Sequence, residues 1–194
     1  ADRAKVFCEN AGFGNGTDLL DPVLADPDVD VLDIVTPPNL HLNLARQALD
    51  AGKDVFIEKP ISNSLEEACR FYNDYRLAPQ SILITYQYPY SETFRTLNEL
   101  IRSKRFGRLK AYRLTYFSRR SSHYYKTWIS DRAQAGGGVL INQGIHFINL
   151  LMGFLGYHCM KLFASSQTVS HGVDVEDTIF MQTVHDDGLI GTLS

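Results

Sequence analysis

Two side chains in this sequence could hold or exchange a proton with a small molecule, and each lies on a stretch that could fix its position. Lys59 follows an apolar run, Val55 to Ile57, in the order Val-Phe-Ile-Glu-Lys-Pro. His146 lies in GGGVLINQGIHFINLLMGFLG, where Asn142, His146 and Asn149 fall at i, i+4 and i+7, one polar stripe on an otherwise apolar helix. A buried polar group needs a partner, so that stripe faces polar protein, water or a ligand. Gly136-Gly137-Gly138 at the start of the helix admits close approach of another backbone or of a flat ligand. Each residue also has an ordinary reading, Lys59 as an exposed strand-end lysine and His146 as a hydrogen-bonded core histidine.

The elements that must position Lys59 are legible between Asp30 and Pro60. Val31 to Val35 is too short for a helix and rich in β-branched residues, which predicts a buried strand. Thr36-Pro37-Pro38 stops it, because proline offers no N–H to a ladder. Asn39 is placed to cap a helix whose apolar face is Leu40, Leu44, Ala45, Ala48 and Leu49, with Gly52 as a left-handed terminator. A second strand, Val55 to Ile57, ends at Glu58-Lys59-Pro60. Strand, helix and strand at this spacing make a βαβ crossover with parallel strands and right-handed connection. Thr36 and Lys59 then share the carboxyl edge of the sheet, one or two strand spacings of about 5 Å apart. Ligands of open α/β sheets sit beyond that edge, and the site is expected there.

Composition narrows the classes. With 194 residues and a net charge of −3, the chain can bury one good core or two small ones. No run approaches the roughly 20 apolar residues of a membrane span, and the start lacks a charged-then-apolar signal pattern, so no membrane partner is expected. Near-neutral charge without basic clusters argues against nucleic acid. Cys8, Cys69 and Cys159 are odd in number and have no ligand-like neighbours, which reads as reduced thiols in a cytoplasmic protein. His41, His123, His158, His171 and His185 show no metal-binding spacing, and no metal site is expected.

The rest of the chain supplies further elements. Ala1 to Ala11 reads as a helix. Gly12-Phe13-Gly14-Asn15-Gly16 reads as a turn, because a dinucleotide loop follows a strand and opens a helix, whereas here a helix precedes. A short helix spans Asp18 to Ala25. Ser64 with Glu67 is a capping box for a helix to Tyr75. Ile82 to Tyr86 is a strand, and Ser91 to Ser103 an amphipathic helix with Phe94, Leu97, Leu100 and Ile101 on one side. Leu109 to Phe117 alternates as a strand with one wet face, the mark of an antiparallel sheet. Arg119 to Gln134 reads as a loop over the site, and Gly136 to Gly156 as one helix. Met160 to Ala164, Asp177 to Val184 and Leu189 to Leu193 are strands, with Asp186-Asp187-Gly188 as a hairpin turn. Parallel units followed by antiparallel strands give an α/β plus α+β fold in two domains, residues 1–80 and 81–194.

DVLDIVTPPNLH…ALDAGKDVFIEKP and GGGVLINQGIHFINLLMGFLG together resemble the glucose–fructose oxidoreductase/inositol dehydrogenase (Gfo/Idh/MocA) family. The specific feature is a strand ending in Glu-Lys-Pro, followed at this distance by Gly-Gly-x-Leu-x-(Asp/Asn)-x-Gly-x-His. Asn142, Tyr124-Tyr125, Trp128, Gln87 and the Gly-Ile-His-Phe spelling are most similar to the UDP-N-acetylglucosaminuronate 3-dehydrogenase-like members. The resemblance implies a partial Rossmann parallel sheet that binds NAD or NADP, then an α/β domain with an open, largely antiparallel sheet. That sheet is implied to join a homo-oligomer, a dimer or tetramer. Carried over by position, Lys59 and His146 are the catalytic pair. Thr36, Pro37, Asn39, His41, Glu58, Lys59, Pro60 and Gln87 are implied at the cofactor, and Tyr125, Trp128, Asn142 and His146 at the substrate. Pro89 replaces a usual Arg, Asn149 replaces a usual Asp, and Asn142 replaces the usual aspartate. The opening strand and its Gly-rich turn do not precede this stretch, so the chain is expected to be a fragment that grips a pyrophosphate poorly.

The implied activity is NAD(P)-dependent oxidation of a secondary hydroxyl of a sugar, nucleotide sugar or cyclitol. His146 would take the hydroxyl proton and Lys59 would orient the same oxygen or the nicotinamide ribose, while Asn142 would position substrate without accepting a proton. Tyr125 and Trp128 form either a sugar-stacking wall or a cap on the core. The alternative is a non-catalytic scaffold of the same family that binds a sugar nucleotide or a protein partner.

Overall fold

Three short strands rich in Val, Leu and Ile, β1 (Val31–Ile34), β2 (Asp54–Glu58) and β3 (Ile82–Thr85), pair in parallel in the order β1-β2-β3. The computed structural model describes residues 2–12, 16–156 and 159–194. Ile34 lies opposite Ile57, and Ile57 opposite Ile84, so the three strands end at one edge. Helix α1 (Asp2–Ala11) and the short α2 (Leu20–Ala25) precede them. The expected turn at Gly12 to Gly16 falls largely on Phe13 to Asn15, which lie outside the described residues.

The crossover helix α3 (Pro38–Asp50) begins two residues earlier than expected, with Pro37 and not Asn39 at its N-cap. Pro38 is its first residue, since proline's fixed φ suits that position and its missing N–H costs nothing there. Asn39 is exposed and makes no cap hydrogen bond. The buried face is Pro38, His41, Leu42, Ala45, Ala48 and Leu49, whereas Leu40 is exposed. The apolar pattern misplaced the stripe because a histidine occupies a core position. Gly52 ends the segment at φ +81°, as expected. Ile34, Leu42, Ala45, Ala48, Leu49, Val55 and Ile57 form the core with Phe71 of α4 (Leu65–Tyr75). Ser64 caps α4 by accepting from the Glu67 amide at 3.3 Å.

The second sheet holds β4 (Ala111–Leu114), β5 (Lys161–Gln167), β6 (Thr178–Val184) and β7 (Ile190–Leu193) in the order β4-β7-β6-β5. β5 with β6 and β6 with β7 are antiparallel, and Gly188 at φ +81° closes the expected hairpin. β4 departs from expectation, because it pairs in parallel with β7. Alternation reports one wet face, not the direction of the neighbour. The sheet is mixed and mostly antiparallel.

Helix α5 (Glu92–Arg102) is capped by Ser91 and stacks Phe94 on Phe154 at 4.5 Å. The expected loop from Arg119 to Gln134 contains two 3-10 turns, Tyr124–Lys126 and Trp128–Ser130, and α6 (Arg132–Ala135), started by the Asp131 carboxylate. The single helix expected over Gly136 to Gly156 is divided. Gly136 to Gly138 stay outside the helix, Leu140–Gly144 forms a π-turn, and α7 (Ile145–Leu155) follows. Against the composition reading, Arg132–Leu155 is long and apolar enough to cross a membrane by length and composition. It is broken at Gly136 to Gly138, and Asn142 within it is bonded to Lys59 and Tyr124.

Candidate active site

Lys59 leaves the end of β2 at the carboxyl edge of the parallel sheet and reaches across to the π-turn. Its Nζ donates to the Asn142 carbonyl at 2.6 Å and lies 3.5 Å from Asn142 Oδ1. In a regular α-helix that carbonyl accepts from the amide four residues on. Here the turn is wider: the Ile145 amide reaches back five residues to the Leu140 carbonyl, and the Asn142 carbonyl takes up an ammonium. Burial pushes the Lys59 ammonium below its ordinary pKa, and the neighbouring Glu58 carboxylate opposes that shift.

His146 lies one turn further along and is buried at 5 % exposure. Its ring meets Tyr88 at 5.0 Å and the edge of Tyr86 at 6.2 Å. Burial lowers its pKa, the Lys59 ammonium lowers it further, and Glu58 pulls the other way. Lys59 Nζ is thus bonded to Asn142, one helical turn before His146, and the ammonium acts on the imidazole although 87 positions separate the two residues in the chain (146 − 59). Among the described residues, Thr36 Oγ1, Asn98 Oδ1, His146 Nδ1 and Asn149 Oδ1 are buried without a hydrogen-bond partner. Of these residues, Thr36 borders the cleft described next and His146 lies one turn from Asn142, where a bound ligand would satisfy such atoms.

Val35, Thr36, Glu58, Lys59, Tyr124, Trp128 and Asn142 are among the residues around a cleft of about 220 Å3 at this edge; His146 is not among them and lies one turn beyond Asn142, against Tyr86 and Tyr88. Trp128 thus sits in the wall, as does Tyr124, whose hydroxyl accepts from Asn142 Nδ2 at 3.1 Å. Tyr125, the tyrosine singled out from sequence, turns away from the cleft: its ring rests on His171 at 4.4 Å, and burial raises its pKa. The segment has no periodicity that tells one tyrosine from the other. Gln87 is exposed at the start of the Tyr88–Tyr90 turn and does not line the cleft. Pro37 stands at the N-cap of α3 and Pro60 is buried. Tyr86 and Tyr88 have no local spacing that marks them for the site, and Glu176 reads from sequence only as a strand-end carboxylate.

His41 is also absent from the cleft wall, at 1 % exposure. Its ring nitrogens lie 2.8 Å from the Pro60 carbonyl and 2.7 Å from the Thr36 carbonyl, tying together the two loops that follow β1 and β2. Carbonyls only accept, so an N–H of the ring is what each of these contacts requires. His41→Ala leaves both buried carbonyls without that donor and opens a cavity. A loss of about 2–4 kcal/mol in urea unfolding is expected, and a loss under half a unit would show the tie to be idle.

The GFO/IDH/MocA C-terminal domain model matches residues 94–194, and the model of an oxidoreductase family with an NAD-binding Rossmann fold matches residues 1–78. Levoglucosan dehydrogenase of Pseudarthrobacter phenanthrenivorans is 28% identical over 158 residues, covering 80% of this chain and 40% of that protein. 1,5-Anhydro-D-fructose reductase of Ensifer adhaerens is 27% identical over 180 residues, covering 92% and 54%. A structure of levoglucosan dehydrogenase with NADH and levoglucosan superposes at TM-score 0.89 and 25% identity, over 99% of this chain and 54% of that one. The WlbA dehydrogenase of Chromobacterium violaceum with NADH and UDP-GlcNAcA gives 0.88 and 26%, over 98% and 55%. The chain spans about half the length of the curated relatives it matches.

Proposed function

This chain belongs to the GFO/IDH/MocA oxidoreductase family, and on that premise we propose that the protein oxidises a secondary hydroxyl of a sugar, nucleotide sugar or cyclitol, with NAD or NADP as acceptor. The observation that carries the reading is the contact of Lys59 with Asn142 at the carboxyl edge of a parallel sheet, one helical turn before the buried His146, whose imidazole the ammonium acts on. Thr36, Pro37 and Glu58 would border the cofactor, and the unpartnered Thr36 Oγ1 and His146 Nδ1 fit a polar ligand. When bound, the nicotinamide accepts hydride from the carbinol carbon. His146 holds a neutral imidazole ready to take the hydroxyl proton, and the Lys59 ammonium orients the same oxygen. Asn142 fixes Lys59 and Tyr124 together and stays proton-neutral. Trp128 offers a flat wall to a sugar ring.

The reading divides the chain into a cofactor-binding part, residues 1–80, and a substrate-binding part, residues 81–194, in a cytoplasmic protein. The outer face of the second sheet carries Phe163, Phe180 and Ile190, 58 %, 61 % and 46 % exposed, which supports a homo-oligomer built on that face. Structures of relatives with NADH and with levoglucosan or UDP-GlcNAcA support the cofactor and the substrate class. Calorimetric titration of the intact protein with NAD and NADP, followed by NADH-forming assays on neutral sugars and nucleotide sugars, tests the proposal. One nucleotide is expected to bind and one substrate class to turn over. A protein that binds a sugar nucleotide but neither cofactor is a scaffold and not a dehydrogenase.

A further inference from the structure

The start of the helix that carries Asn142 and His146 is held by a residue far along the chain. Glu176, just before β6, takes three consecutive amides. Its side-chain Oε1 accepts from the Gly138 amide at 2.8 Å and from the Leu140 amide at 3.3 Å, and its backbone carbonyl accepts from the Val139 amide at 2.8 Å. These are the donors a helix start leaves without intrahelical partners, and a carboxylate is the favoured charge there. The other oxygen, Oε2, lies 3.8 Å from Arg132 Nη2, and the side chain is 15% exposed. The approach is so close that a Cβ on Gly138 would stand 1.8 Å from the Glu176 carbonyl oxygen. Glycine is thus required at this position by the neighbour rather than by its own backbone angle.

We propose that Glu176 is a positioning residue for the dehydrogenase reaction, fixing the π-turn so that the Asn142 carbonyl meets Lys59 with His146 one turn further along. The inference rests on the functional reading given above. Glu176 touches neither Lys59 nor the cleft wall and acts only through the three amides. The segment it holds, Gly138 to Leu140, ends two residues before Asn142 and six before His146. Without that hold, the turn can shift along its axis by the fraction of an ångström that separates productive from unproductive contact.

The test is a set of Glu176 variants in the intact protein, beside His146→Ala as reference. Glu176→Gln keeps the accepting oxygen at the same reach and is expected to retain kcat within about fivefold. Glu176→Asp keeps the charge but is one methylene too short, and Glu176→Ala lacks both. Each of these is expected to lose on the order of 10²-fold in kcat, with the KM for nicotinamide nucleotide changed less than about threefold. Should Glu176→Ala fail to fold, the order of Gln above Asp decides the matter. Aspartate equal to or better than glutamine, or wild-type kcat in a folded Glu176→Ala, overturns the inference if His146→Ala has lost turnover. Wild-type turnover in His146→Ala overturns the functional reading itself, and the inference with it.

Discussion

His146→Ala is expected to lower turnover by about 10²–10⁴-fold while leaving nicotinamide nucleotide binding nearly unchanged. The range is what a positioned proton acceptor contributes. The wild-type pH profile carries the sharper signature. Burial and the Lys59 ammonium both depress the His146 pKa below its ordinary 6.5, so the ring stays neutral and proton-accepting to lower pH. The rate of oxidation should therefore be flat through neutrality and fall only on the acid side of 6.5, with the limb absent from His146→Ala. Stability follows the same sign. Between the depressed folded value and 6.5 the unfolded chain binds more protons, so stability rises with pH across that window and is lost as pH falls through it. Turnover that survives the substitution with its acid limb intact would assign the base elsewhere.

Lys59→Met is expected to cost about 10²–10³-fold in kcat, the scale seen when one preorganised donor is removed from a developing charge. A second effect separates this residue from an ordinary strand-end lysine. Because the ammonium lowers the His146 pKa, its removal must move the acid limb upward toward 6.5. Histidine titration by NMR on both proteins measures that shift directly. A limb that stays in place would mean that the two groups do not share a site, however low the turnover of the variant. Lys59→Arg is a poor rescue, since a wide planar guanidinium replaces a compact ammonium seated 2.6 Å from one carbonyl.

The βαβ unit was legible because its signals agree: β-branched runs of strand length, a proline stop, a helical stripe and Gly52. Lys59 and His146 were legible as a pair only through the family spelling around each, since neither residue alone outweighs its ordinary reading. The structure brings them together by a contact that no local pattern encodes. A π-turn leaves no periodicity signature within one helix, and the Asn142 carbonyl that meets Lys59 is backbone, invisible to side-chain reasoning. His41 was assigned to the cofactor because it stands near Thr36 in sequence; the fold instead buries it between two carbonyls. Tyr124 and Tyr125 are equivalent as letters and opposite as neighbours, one on Asn142 and the other on His171. The direction of β4 depends on a partner some 79 positions later (190 − 111), and burial alternation carries no information about it.

The wide turn before α7 also dictates how this protein can change in length. Each residue in a helix advances it by about 100° and 1.5 Å. With Phe154 held against Phe94, one codon deleted between Leu140 and Gly144 would leave the imidazole where it is and swing the upstream carbonyl more than a quarter-turn from the ammonium. Single replacements along that stretch alter one contact; a frame-preserving deletion or insertion resets the angular offset between two parts of one site. The spacing from 142 to 146 thus matters as a number, apart from the letters that fill it.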